Sequence, residues 1–147
     1  MLSYTGKLKV SAADFYNTLV KSVVDDINRK TDKNYTVADL EEKNGIKYRY
    51  KHTEKKKTSE FMTHIRVANK NSKVIIGYFE NNKSYEMGYD IKALEDELTE
   101  VTFYQKEEGQ SEGFLAGKMF ERDIKKRFRT FEKYIQKTNK ENKEKEA

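Results

Sequence analysis

The chain has 147 residues, enough for one domain with a sizeable core. Hydrophobic residues make up 35% and charged residues 37%, so the ten Tyr and eight Phe must carry much of the buried area. There is no Cys, which excludes disulfides, thiolate metal sites and Cys nucleophiles; the net charge of +5 comes from 30 basic residues facing 25 acidic ones, an intermixed pattern that speaks against nucleic acid.

Residues 2–10 alternate, with Leu2, Tyr4, Leu8 and Val10 on one side, and predict a first strand. Gly6 interrupts the run and reads as a bulge. Ser11-Ala12-Ala13-Asp14 has the form of a capping box with Asp in place of Glu or Gln. The helix it opens puts Phe15, Tyr16, Leu19, Val20, Val23, Val24 and Ile27 on one face, and Arg29-Lys30 suits its C-terminus. After a polar break at 31–35, Thr36 caps a short helix over 37–43, which Asn44-Gly45 stops.

A series of strands follows. Ile46, Tyr48 and Tyr50 alternate with Lys47, Arg49 and Lys51. A loop is predicted over 52–59, around Lys55-Lys56-Lys57. Phe61, Thr63, Ile65 and Val67 line one face of the next strand, and 69–72 is a turn. Residues 74–79 are apolar on both faces, as in a central strand, and 80–83 turns again. Tyr85, Met87, Tyr89 and Ile91 mark a further strand, 94–97 an acidic loop, and Thr99, Val101 and Phe103 the last strand.

After a break at 107–113, a long helix is predicted over 114–137, with Phe120, Ile124, Phe128, Phe131 and Ile135 at helical spacing. The charged tail 138–147 is expected to be disordered, which leaves residues 1–137 as the folded domain. The fold predicted is α+β: a helix-grip arrangement in which a curved antiparallel sheet of about six strands wraps a long C-terminal helix. Two shorter helices follow the first strand.

The run KVSAADFYNTLVKSVVDDINRKT at 9–31, LEEKNGIKYRYKH at 40–52 and VTFYQKEEG at 101–109 resemble a Firmicutes domain-of-unknown-function family, numbered 3284. That family has no established activity and no defined catalytic residues, and its members look like cytoplasmic proteins. The element order is also similar to the superfamily of steroidogenic-acute-regulatory-type lipid-transfer domains and the birch pollen allergen. Many of those proteins hold an apolar ligand between sheet and long helix. That likeness is one of fold, and fold does not imply function.

Candidate chemistry is sparse. His52 and His64 fall on different strands without partners at ligand spacing, so no metal site is predicted. No nucleotide or nucleophile motif occurs, and no catalytic residue or cofactor is assigned. Tyr48, Tyr50, Tyr85 and Tyr89 fall on the inward faces, where Phe61, Phe79 and Phe103 join them. With Phe120, Ile124 and Phe128 from the helix they line either a filled core or a pocket, the filled core being the simpler reading. The leading functional expectation is a non-catalytic cytoplasmic protein holding a small apolar or amphipathic ligand under the last helix. The alternative is an interaction module whose basic helix face meets an acidic protein partner; an enzyme using a pocket carboxylate and Tyr comes third. No stretch is long and apolar enough to span a membrane, and residues 1–10 lack the apolar core of a signal peptide.

Overall fold

A computed structural model describes residues 1–80, 83–107 and 114–146. In chain order the elements are β1 (Leu2–Leu8), α1 (Ala12–Thr31), α2 (Val37–Glu41), β2 (Ile46–Glu54), β3 (Lys57–Asn69), β4 (Lys73–Glu80), β5 (Lys83–Glu95), β6 (Leu98–Glu107) and α3 (Phe114–Glu146). The six strands form one antiparallel sheet in the order β1-β6-β5-β4-β3-β2. It curves, and register shifts at Val67/Asn69 in β3 and Ala93/Glu95 in β5 add local bends. The turns expected at 80–83 and the break at 107–113 fall largely outside the described residues.

Both short helices start as their capping sequences dictate. The Ser11 hydroxyl accepts from the Asp14 backbone N–H, and Asp32 closes α1 in the left-handed conformation. At α2 the box is reciprocal: Thr36 accepts from the Asp39 N–H, and the Asp39 carboxylate accepts from the Thr36 N–H at 2.8 Å. Gly45, the expected stop, has φ +61 and its N–H donates to Glu42 O at 2.9 Å. A Cβ there would lie 2.1 Å from the Ile65 carbonyl oxygen, so this turn accepts only glycine.

Four expectations are corrected. Gly6 is not a bulge: it pairs in register with Val101. Its missing side chain instead admits Phe128 of α3, whose Cδ2 would sit 3.1 Å from a Cβ. The loop at 52–59 is a two-residue hairpin turn, with Lys55 and Lys56 at φ 49 and 68, so β2 and β3 run past it. Phe79 points to the convex face and is exposed, because its register partner is Met62. The tail is helix as far as Glu146. It is tied down there by Asn139 Nδ2, which donates to Asp14 at 3.0 Å, and by Gln136, which donates to the Lys9 carbonyl at 3.1 Å.

Helix α1 lies across the concave face from β2 to β5, and α3 runs along β1 and against α1. The core is their meeting place. Phe15, Tyr16, Leu19, Val20, Val24 and Ile27 of α1 are buried against Ile124, Phe128 and Ile135 of α3 and the strand residues Leu8, Val74, Ile91 and Val101. Thr99 is fully buried, and its hydroxyl donates to the Val10 carbonyl at 2.7 Å, which satisfies both groups.

Candidate functional site

Register assembles the concave face into rows. Tyr48 pairs with Thr63, Thr63 with Tyr78, and Tyr78 with Tyr85, so one row crosses β2 to β5. Beside it runs Ile46-Ile65-Ile76-Met87, and beyond that Val67-Val74-Tyr89-Phe103. On the first row's outer side Tyr50 faces Phe61. The rings form a ladder: Tyr50 to Phe61 at 6.5 Å, Phe61 to Tyr78 at 6.3 Å, and Tyr78 stacked on Tyr85 at 4.7 Å with 9° between planes.

The eight residues picked out by sequence divide into two groups. Tyr89, Phe103, Ile124 and Phe128 are buried and packed. Tyr89 contacts Phe103 at 4.9 Å and Phe15 at 6.3 Å, and Phe128 contacts Tyr4 at 5.5 Å. Tyr48, Tyr50, Tyr85 and Phe120 are only half-buried, although they stand on the same concave face or, for Phe120, over Phe103 at 5.7 Å. Under α1 and the middle of α3 the interior is therefore filled. Toward β2–β4 the concave face is an aromatic trough whose rings are only half-buried.

Charged groups edge this trough. Arg127 of α3 lies 5.4 Å over the Phe103 ring and donates to the Tyr89 hydroxyl at 3.5 Å. No carboxylate pairs with Arg127 among the described residues. Burial holds the Tyr89 hydroxyl above its ordinary range, with Arg127 pulling the other way. Across the trough, Lys30 of α1 sits 5.1 Å over the Tyr50 ring and pairs with Asp26 at 3.0 Å. Burial acts to raise the Asp26 carboxyl, but hydrogen bonds from Lys30 and Arg29 outweigh it and leave the group below its usual range. Burial also raises the Tyr48 hydroxyl, with Lys30 and Thr63 pulling the other way. A groove of about 740 Å³ runs between α1 and α3, with Asp26 and Arg29 on one wall and Arg127, Phe131 and Tyr134 on the other.

Sequence reading missed Arg127, Lys30 and Tyr78. Arg127 stands seven residues after Phe120 and four before Phe131, so the stripe's own spacing places it beside the buried face. Tyr78 continues the alternation of Val74 and Ile76. Lys30 carried no signal, because its ring partner is on another element. His64 is explained without a ligand: its Nε2 donates to the Asn44 carbonyl at 2.7 Å. Among the described residues no group of three or more His, Asp or Glu is placed to hold a metal ion, and no helix is long and apolar enough to cross a membrane.

A curved antiparallel sheet gripping a long terminal helix, with two short helices after the first strand, defines a START-like helix-grip protein. Solved structures share this fold. A START superfamily protein from Mycobacterium smegmatis aligns over 93% of this chain and 97% of its own, at 14% identity and TM-score 0.54. Ara h 8.0201 aligns over 92% and 97%, at 11% identity and TM-score 0.54. The di-domain ARO/CYC StfQ from the steffimycin biosynthetic pathway aligns over 95% of this chain but only 46% of its own, at 9% identity and TM-score 0.59. No curated protein matches in sequence. The model of the domain of unknown function DUF3284 matches residues 3–121, and the chain belongs to that family.

Proposed function

We propose that this protein binds a small apolar or amphipathic molecule, without transforming it, in the aromatic trough between the sheet and α3. The observation that carries this reading is the half-buried ladder Tyr50–Phe61–Tyr78–Tyr85 on a face whose other half is a packed core. A sheet face built only to be filled would bury these rings as it buries Tyr89 and Phe103. Tyr48, Tyr50, Tyr85 and Tyr78 contact the ligand body, with Phe120 as its roof. Tyr89, Phe103, Ile124 and Phe128 form the rigid floor. Arg127 takes a carboxylate or other anionic end, because it is the cation at the trough that has no described carboxylate partner. The helix-grip class supports the placement, since such folds often hold apolar ligands between sheet and long helix.

A thermal-stability screen against fatty acids, aromatic acids, neutral lipids and sugar phosphates tests the reading. A ligand at about a hundredfold its Kd adds about 2.7 kcal/mol. For a chain of this size that raises Tm by roughly 5–10 °C. Fatty or aromatic acids should give the shift. A response confined to sugar phosphates, or none in any class, would remove the proposal.

A further inference from the structure

The charge of this protein is concentrated on one element. Helix α3 holds eleven basic and six acidic residues, a net of +5, which equals the excess of the entire chain. The remaining nineteen basic and nineteen acidic residues cancel. In sequence the two signs look interspersed along α3. On a helix of about 3.6 residues per turn they separate. The nine basic residues from Lys118 to Lys143, Arg127 apart, spread over the half of the helix turned away from the Ile124–Phe128–Phe131–Ile135 stripe, and all nine are exposed. Glu121 and Glu132 fall on one flank of this ridge, Asp123 and Glu141 on the other, and Glu144 alone enters it, at its end. From Lys125 to Lys143 none of the ridge cations is ion-paired with a described residue; Arg122 reaches only its neighbour Asp123, at 3.9 Å.

The ridge is about 38 Å long at 1.5 Å per residue. Its partner must be negative over a comparable length and need not offer shaped pockets. Seven of the nine cations are Lys, a hydrated point charge without the forked geometry that reads phosphates and bases. The one amide on the ridge, Gln136, is engaged with the Lys9 carbonyl. On the flank beside it Met119 is 50% exposed and Tyr134 57% exposed, side chains suited to a headgroup layer. We propose that the outer face of α3 docks this protein on an anionic lipid surface. This goes beyond the ligand-binding reading and does not depend on it: the inner face of the helix grips the core, and the outer face meets the bilayer.

Sedimentation with phosphatidylcholine vesicles, with and without about 30% phosphatidylserine, tests the proposal at about 0.05 and 0.5 M salt. Binding should require phosphatidylserine and fall away at the higher salt. The triple variant Lys125→Gln, Arg129→Gln, Lys133→Gln should partition on the order of a hundredfold more weakly. The triple variant Lys51→Gln, Lys57→Gln, Lys92→Gln, with the same loss of net charge away from the ridge, should stay within about threefold. Circular dichroism confirms that both variants fold, and the wild-type salt series stands should either fail to. Equal binding to both vesicle types would overturn the proposal, as would equal losses in the two triples. Ridge-dependent binding to duplex DNA or RNA without vesicle binding would overturn it in favour of nucleic acid.

Discussion

Gly6→Ala tests how α3 is seated on β1. The new Cβ would lie 3.1 Å from Phe128 Cδ2 and 3.1 Å from Tyr4 Cε1. Ordinary carbon contacts are about 3.5–4.0 Å, so the helix or the rings must give way by several tenths of an ångström. Overpacking of this kind costs about 1–3 kcal/mol. The lost freedom of the unfolded glycine returns about 0.4–1 kcal/mol. The net expectation is a loss of about 1 kcal/mol. Phe128→Val removes the δ atoms and by itself costs about 2–3 kcal/mol. In the Phe128→Val background the Tyr4 ring, which packs on Phe128 at 5.5 Å, can turn into the vacated space, so Gly6→Ala should become neutral or slightly stabilising, giving a coupling of about 1 kcal/mol. Urea denaturation of the four proteins, followed by circular dichroism, measures the cycle. Additivity to within about 0.3 kcal/mol would refute the seating of Phe128 over Gly6.

Tyr104 should be among the last tyrosines to ionise in an absorbance titration near 295 nm, since burial and its hydrogen bond to Glu86 push its hydroxyl up to about 12. Because this folded value is raised, its contribution to stability is complete below the unfolded value of 10.0 and is lost as pH climbs toward 12. Gly88→Ala places a Cβ 2.5 Å from the Tyr104 ring and hydroxyl and should return that titration toward the ordinary range; an unchanged curve would contradict it. Asp26→Asn should cost about 0.5 kcal/mol at pH 7, a small figure because the Arg29 and Lys30 pairs are partly exposed. The depressed Asp26 carboxyl stabilises above its unfolded value of 3.8 and ceases to as pH falls through the folded value, so the penalty should shrink as the group protonates in acid; a penalty that does not change with pH would point to packing instead. Gly45→Ala should destabilise by about 3 kcal/mol or more, from a left-handed backbone and a clash with the Ile65 carbonyl, and a Tm within error of wild type would discount that geometry.

The fold was legible because local signals agreed. Ser11 and Thr36 mark helix starts, and the period of the 120–135 stripe marks the buried side of α3. The alternations around Tyr48, Ile65, Met87 and Phe103 share one concave face. What escaped depends on cross-element geometry. The Lys55-Lys56 turn lacks the Asn-Gly signature of its conformation. Tyr104 is buried on the convex face only because Gly88, its register partner, leaves room for the ring. Tail residues without apolar side chains are helical through polar ties from Gln136 and Asn139. The trough was visible as a set of inward aromatics. Its division into packed floor and half-buried ladder was not, because periodicity gives the facing of a side chain but not what lies above it. The basic face of the last helix was legible from its Lys and Arg content, but the separation of its acidic residues onto the flanks shows only on the helical cylinder.

Ligand binding in the trough is tested most directly by titrating wild type, Tyr85→Ser and Arg127→Gln with 1-anilinonaphthalene-8-sulfonate and displacing the dye with dodecanoate. Saturable one-to-one binding, displaced by the fatty acid and weakened about tenfold by each substitution, corresponding to about 1.4 kcal/mol, is the predicted result. Fluorescence that never saturates, or a saturable site that neither substitution alters, would contradict it.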